Sequence, residues 1–274
     1  MWEQLANLGV TALAVPEKYD GLDAHPVDLV VALERLGRWC VPGPVAESIA
    51  VAPILLGDDE RSAGLSSGEL IATVALSPHT PRAVDAEAAG LVLLASDGSV
   101  SEAAAGECHR SVDPSRRLYD VTAGGATWQA DVKRAYEFGA LATAAQLVGA
   151  AEALLHDTVE YAKQRSQFGR VIGSYQAIKH KLADVHIAIE LARPLVYGAA
   201  LSLADDANAA RDVSAAKAAA SDAGLLAARS ALQTHGAIGF TQEHDLSLWL
   251  LRVQALRAAW GTPEAHRRRV LEAL

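Results

Sequence analysis

Two short stretches hold most of the side chains that could do chemistry. The first is Arg165-Ser166-Gln167-Phe168-Gly169, with Gln176 seven residues after the glycine. It packs a cation, an amide, an aromatic ring and a glycine into five residues. The second is Gln233-Thr234-His235-Gly236-Ala237-Ile238-Gly239-Phe240-Thr241. A guanidinium fork suits a diphosphate. Glycines without a Cβ let backbone N–H groups come close to an anion, and Phe168 offers a flat apolar surface to a ring system. The same residues also suit an ordinary solvated turn, with Gly169 as a helix C-cap and Gln233-His235-Gly236 as a polar helix end. Composition alone does not choose between these readings.

The elements that must position these stretches are helical. Phe138, Leu141, Ala145, Val148, Leu155, Val159 and Ala162 form one seam at alternating three- and four-residue spacing, predicting a helix from about 134 to 165. Ile178, Leu182, Val185 and Ile189 begin a second, which Pro194 should kink. Alanines from 207 to 232 make a third, and Leu246 to Ala259 a fourth. Thr262-Pro263-Glu264 opens a fifth, with Thr262 as N-cap and Pro263 at the first helical position. Four long antiparallel helices over residues 133–274 suggest a bundle.

Earlier in the chain, residues 1–65 read as a helical segment. A helix over 2–9 stops at Gly9, another runs from Pro26 to Gly37, and a short one spans Glu47 to Leu56. Residues 66–132 read as a reduced β-region of three to five strands. Residues 69–76 and 90–95 are the clearest runs, and 117–122 and 126–132 are weaker ones flanking a turn at Gly124-Gly125. The fold class is mostly α with a small central β-region.

A net charge of −9 argues against nucleic acid as the main partner, because a phosphate backbone calls for clustered cations. The one dense basic run, Arg267-Arg268-Arg269, fits a helix end. Cys40 and Cys108 are far apart and offer neither metal spacing nor a disulfide framework. A reducing cytoplasm is the natural compartment. No signal peptide or membrane span is visible, and the opening residues already suit an amphipathic helix.

Helical segment, small β-region and bundle form the layout of the acyl-CoA dehydrogenase family, which the chain resembles in three places. Leu8-Gly9 and Val15-Pro16-Glu17-Lys18-Tyr19-Asp20-Gly21-Leu22 look like the family's early segment. Arg165-Ser166-Gln167-Phe168-Gly169 with Gln176 matches its bundle loop. Gln233 to Thr241 looks like its second signature, and Gly261-Thr262 matches the pair that opens the last helix. The resemblance implies FAD as cofactor. Arg165, Gln167 and Phe168, with Ile172, Tyr175 and Gln176, would lie against the flavin nucleotide of a neighbouring subunit. Gln233, Gly236 and Ala237 would approach its diphosphate end, and Thr262 belongs to the same expected set.

The resemblance also exposes losses. Family members desaturate an acyl thioester, and a carboxylate must remove the α-proton. The usual position of that base, just before the Gly-Thr pair, is Trp260 here, and the alternative position on the first long bundle helix is Gly139. Neither can accept a proton. Glu137 lies two residues from Gly139, about 200° round the helix, and should point elsewhere. The loop after the first strand, Ser77-Pro78-His79-Thr80-Pro81-Arg82, has no Gly-Ser pair, and Trp128-Gln129-Ala130 has no Thr-Asn. Two readings follow. In the preferred one the chain is a non-catalytic subunit that completes the FAD site of a catalytic acyl-CoA dehydrogenase partner. The assembly would be a heterotetramer, with the acyl-CoA held on the partner and a steroid side chain a candidate acyl group. In the other the chain is a homo-oligomeric enzyme whose base has moved to Glu137, Glu243 or Asp245. A flavin-free structural or acyl-binding relative is a third possibility, weakened by the retained loop residues.

Overall fold

The computed structural model describes residues 1–205, 208–241 and 244–274. Four helices open the chain: α1 (Trp2–Asn7), α2 (Pro26–Arg38), α3 (Glu47–Leu56) and α4 (Arg61–Ser67). In α2, Pro26 sits in the first turn and the His25 ring accepts the Val27 N–H. Its Leu29, Val30, Leu33 and Leu36 are buried. The first turn of α3 is a wide π turn over Glu47–Val51, and every residue of it is buried, the carboxylate of Glu47 included. Helix α4 extends the helical segment beyond the expected stop and ends at Gly68, whose φ of 75° closes it.

Five strands follow: β1 (Ala72–Leu76), β2 (Ala83–Val84), β3 (Leu91–Ser96), β4 (Ser99–His109) and β5 (Leu118–Gln129). Their order across the sheet is β1-β3-β4-β5-β2. β1 runs parallel to β3, with Ala72 opposite Leu91, and β3–β4, β4–β5 and β2–β5 are antiparallel. Two expectations need correction. Strand β4 went unread because its outer half, Ala-Ala-Ala-Gly-Glu, is small and exposed and lacks the apolar pattern of a half-buried strand. The expected turn at Gly124-Gly125 is instead the middle of one continuous strand. Ala103 pairs with Ala123 and Ser101 with Thr127, so Glu102 faces the bulged residues 124–126. Glycine is used there for clearance, since a Cβ on Gly125 would lie 2.8 Å from the Glu102 side chain.

The rest is helical. Helix α5 (Val132–Gln164) runs into a two-strand hairpin, β6 (Ser166–Gln167) and β7 (Arg170–Val171), and then come α6 (Gln176–Asp205), α7 (Ala209–His235), α8 (Leu246–Ala258) and α9 (Pro263–Glu272). Three helices are long, at 33, 30 and 27 residues, whereas α8 and α9 have 13 and 10, so the expected four long helices become three long and two short. The break falls at Trp260 and Gly261, both at positive φ (56° and 99°). Helix α6 runs through Pro194 without interruption.

Helix α5 is the axis of the molecule, with α2, α6, α7 and α8 all packed on it. Two glycines let α2 and α5 touch backbone to backbone. A Cβ on Gly37 would lie 2.2 Å from the Gln146 carbonyl oxygen, and one on Gly149 would lie 1.9 Å from that of Glu34. Both α5 and α6 are long and apolar enough to cross a bilayer, a property the sequence reading did not credit. The apolar window of α5 is 89% buried in the core, but that of α6 is 33% buried and shows Ile187, Leu191, Leu195 and Leu201 to solvent.

Candidate functional site

The residues singled out by sequence fall into two groups at opposite ends of α7. The first group is built on the hairpin that ends α5. Gln167 pairs with Arg170, and the turn residues Phe168 and Gly169 both have positive φ, 52° and 82°. That is the geometry of a tight primed hairpin turn. A bulky residue at positive φ is uncommon, and here it carries a Phe168 side chain that is 93% exposed. The hairpin is pinned from behind. The Tyr175 hydroxyl donates to the Gln167 carbonyl at 3.1 Å, and the Arg170 guanidinium lies 4.0 Å over the Tyr175 ring. The Ile172 N–H donates to the Arg165 carbonyl at 2.8 Å. Arg165 itself is exposed, and no described residue pairs with its guanidinium.

The second signature reaches the same end of the molecule. The Tyr161 ring stacks on the His235 ring with centroids 4.2 Å apart, and its hydroxyl donates to the His235 carbonyl at 3.4 Å. The Lys181 ammonium, in the early turns of α6, donates to the Gln233 side-chain oxygen. Gln176 meets His180 at 3.0 Å. Helix α7 stops at Gly236, whose φ of 66° excludes a side chain without strain and which has no atom within 4 Å of the missing Cβ. Ala237 is exposed beside it in the turn Gly236–Phe240. Arg165, Gln167, Phe168, Ile172, Tyr175, Gln176, Gln233, Gly236 and Ala237 therefore share one end of the bundle.

Thr262 does not join them. It caps α9, its hydroxyl accepting the Ala265 N–H. The turn before it is held by Lys217 of α7, which donates to the Gly261 carbonyl at 3.3 Å. Lys217 precedes Gln233 by sixteen positions, about 24 Å along a helix. The Lys217 ammonium is buried and also donates to the Leu256 and Arg257 carbonyls; burial, with the Arg257 cation nearby, pulls its pKa down to about 7.

At this second end the two positions where a base was sought lie on each other. Trp260 is fully buried. A Cβ on Gly139 would lie 2.3 Å from an atom of its indole, so the glycine is the space the ring fills. The indole N–H donates to Glu47 Oε1 at 3.1 Å. The Trp260 carbonyl accepts from the Tyr136 hydroxyl at 3.2 Å and from His266 Nε2 at 2.8 Å. The other ring nitrogen of His266 accepts from Ser214, which itself accepts from Arg269 at 2.9 Å. Burial is the main cause that lowers the His266 pKa to about 4, so the ring is neutral at physiological pH. A cleft of about 960 Å³ opens beside this turn and is lined in part by His79, Tyr136, Glu137 and Arg269, but not by Trp260.

Sequence reasoning missed Glu47, a lone acid inside an apolar run and now the partner of the Trp260 indole; that isolation was the available signal. Glu137 points away from Gly139 as expected, and both its oxygens meet the Arg269 guanidinium. Asp245 is an exposed residue at the start of α8, about 20 Å from the end of that helix, and Glu243 lies outside the described residues. Trp128 gives its N–H to the Leu55 carbonyl at 2.8 Å and one ring face to Arg61. Both cysteines are free. Strand pairing, which sequence spacing cannot show, brings Glu107, His109 and Asp120 together with ligand atoms within 4.8 Å. Arg82 already neutralises Asp120 there, at 2.8 Å.

A family model for the acyl-CoA dehydrogenase C-terminal domain matches residues 128–274, and one for the N-terminal domain of that family matches residues 1–61. Acyl-CoA dehydrogenase IpdE2 of Mycolicibacterium smegmatis is 32% identical over 276 residues, covering 98% of this chain and 86% of its own. The ChsE4–ChsE5 complex from Mycobacterium tuberculosis superposes with a TM-score of 0.86 at 24% identity, covering 99% of this chain and 86% of the matched chain. A variant of the Tcur3481–Tcur3483 steroid ACAD superposes equally well, TM-score 0.86 at 22% identity, over 99% of this chain and 87% of the matched one.

Proposed function

The chain belongs to the acyl-CoA dehydrogenase family, and we propose that it is the non-catalytic subunit of a hetero-oligomer, completing the FAD site of a catalytic partner. The observation that carries this reading is the packing of Trp260 onto Gly139. The two places where the family keeps its base are an indole and a glycine in van der Waals contact, sealed from the neighbouring cleft. A carboxylate must reach the α-proton to take it, and among the described residues the acids beside these two positions are held by other groups. Glu47 is engaged by the indole N–H, and Glu137 by Arg269.

The exposed end fits the complementary task. FAD is the family's cofactor, and when bound it takes the hydride that leaves the β-carbon of the acyl thioester. The Arg165 guanidinium has all its donors available for a diphosphate. Gly236, with no atom within 4 Å of the missing Cβ, leaves room for a ligand to come close to the turn after α7. Phe168, held outward by the hairpin, covers an aromatic ring system and shields it from water. Tyr175 and Ile172 hold the hairpin in that pose.

The partner is a second acyl-CoA dehydrogenase subunit that supplies the base and binds the acyl-CoA. Two solved structures of the same fold support this: one is a complex of two differently named chains, ChsE4 and ChsE5, and the other is a steroid ACAD. A ring-bearing acyl group, such as a steroid side chain, is the substrate class we assign, and the cytoplasm the compartment. The test is purification of the chain alone and with its partner. Alone it should be colourless and inactive, and with the partner the complex should hold FAD and desaturate acyl-CoA. A yellow, active preparation of the single chain would contradict the proposal.

A further inference from the structure

We infer that a second cleft, of about 340 Å³, binds a small organic anion with a compact apolar body. It lies between the loop after β1, the β4–β5 connection and the last turns of α8. Arg82, Arg110 and Arg116 line it, and no carboxylate does. The acids that pair with two of these arginines, Asp120 and Glu47, lie outside the lining.

Arg116 is the central observation. It is 4% exposed, yet among the described residues its guanidinium makes only one polar contact, with Glu47 Oε1 at 3.7 Å, beyond hydrogen-bond range. A buried guanidinium left with unused donors is costly unless something accepts from them. Thr80, also in the lining, has a buried hydroxyl oxygen without a partner. Arg110 stands at the exposed rim and is paired with no described residue. Arginines lining one cleft suit a carboxylate or a phosphoryl group, which can accept two parallel N–H bonds from one guanidinium. The remaining walls, including Val84, Leu118 and Ala255, are apolar and suit a hydrocarbon body. This site does not use the exposed hairpin residues at the other end of α7, although Arg116 shares Glu47 Oε1 with the Trp260 indole.

The test is isothermal titration of the full chain, alone or in its complex, with cyclohexanecarboxylate, with the neutral cyclohexanecarboxamide and with inorganic phosphate. The carboxylate should bind about tenfold more tightly than the amide, because charge-assisted bonds are lost in the neutral compound. Arg110→Ala, a rim change that leaves the buried structure intact, should weaken the carboxylate severalfold, and Arg116→Met should abolish it. Phosphate binding as tightly as the carboxylate would assign a phosphoryl ligand to the same anion site, and weaker phosphate binding would assign the carboxylate. Equal binding of carboxylate and amide, an unchanged affinity in Arg110→Ala, displacement of the carboxylate by FAD, or no binding of either anion at millimolar concentration would each overturn the inference.

Discussion

The two ends of α7 are opposites. At one end the chain buries a tryptophan, a histidine, a lysine and a glutamate under the α8–α9 turn, and their hydrogen-bonding groups are largely used within the chain. At the other it holds a phenylalanine in solvent on a hairpin with positive φ and presents Arg165 without a partner among the described residues. Burial at the first end serves folding, because most of these groups are hydrogen-bonded within the chain, with Glu47 Oε2 the buried atom left over. Exposure at the second is a cost that this chain alone does not recover. The difference teaches where function can be sought: at the end whose groups are left without partners.

The largest effect should come from emptying the buried end. Trp260→Ala removes a fully buried indole and leaves Glu47 without its donor, so stability should fall by about 3–5 kcal/mol; urea unfolding measures this. A change smaller than for an ordinary surface substitution would show that the indole is not a packing element.

Acid should act on the same end next. The His266 pKa falls from 6.5 to about 4 on folding, so below pH 6.5 the unfolded chain binds a proton that the folded chain refuses. The His266 share of the stability is therefore complete above pH 6.5 and is lost as pH falls toward 4. At about 1.4 kcal/mol for each pH unit of that gap, the loss approaches roughly 3 kcal/mol. Unfolding at pH 7.5 and pH 5, in wild type and His266→Gln, checks it, because the variant should lose this part of the pH dependence.

Gly139→Ala should cost about 1–3 kcal/mol by overpacking, and the cost should shrink in a Trp260→Ala background, since the two residues share one space. Additive effects would break the pairing. The smallest change should come from the exposed end: Phe168→Ala should alter stability by no more than about 0.5 kcal/mol, while weakening assembly with the flavin-bearing partner.

Much of this contrast was legible beforehand. The spacing of the α5 seam, Pro26 and the Thr262 cap marked helices because each follows a local rule of period or capping. Phe168 and Arg165 stood out because five consecutive residues carry the pattern. What remained hidden depends on contacts between distant segments. Glu47 and Trp260 meet across 213 positions of sequence, and sequence shows no reason for an acid to be buried until the indole is placed against it. Strand β4 escaped because exposed alanines carry no alternation, and Gly124-Gly125 misled because a bulge and a turn use glycine for the same freedom. Thr262 lies apart from Gln233 because the turn before it is held at Lys217, sixteen positions earlier on α7 than Gln233.

The most direct test of the central claim is the flavin content of the complex formed by Arg165→Ala with the catalytic partner, measured by absorbance beside the thermal stability of the variant chain. The account predicts that bound FAD is lost in large part while the variant chain melts as wild type does. Full flavin occupancy in the Arg165→Ala complex would contradict it.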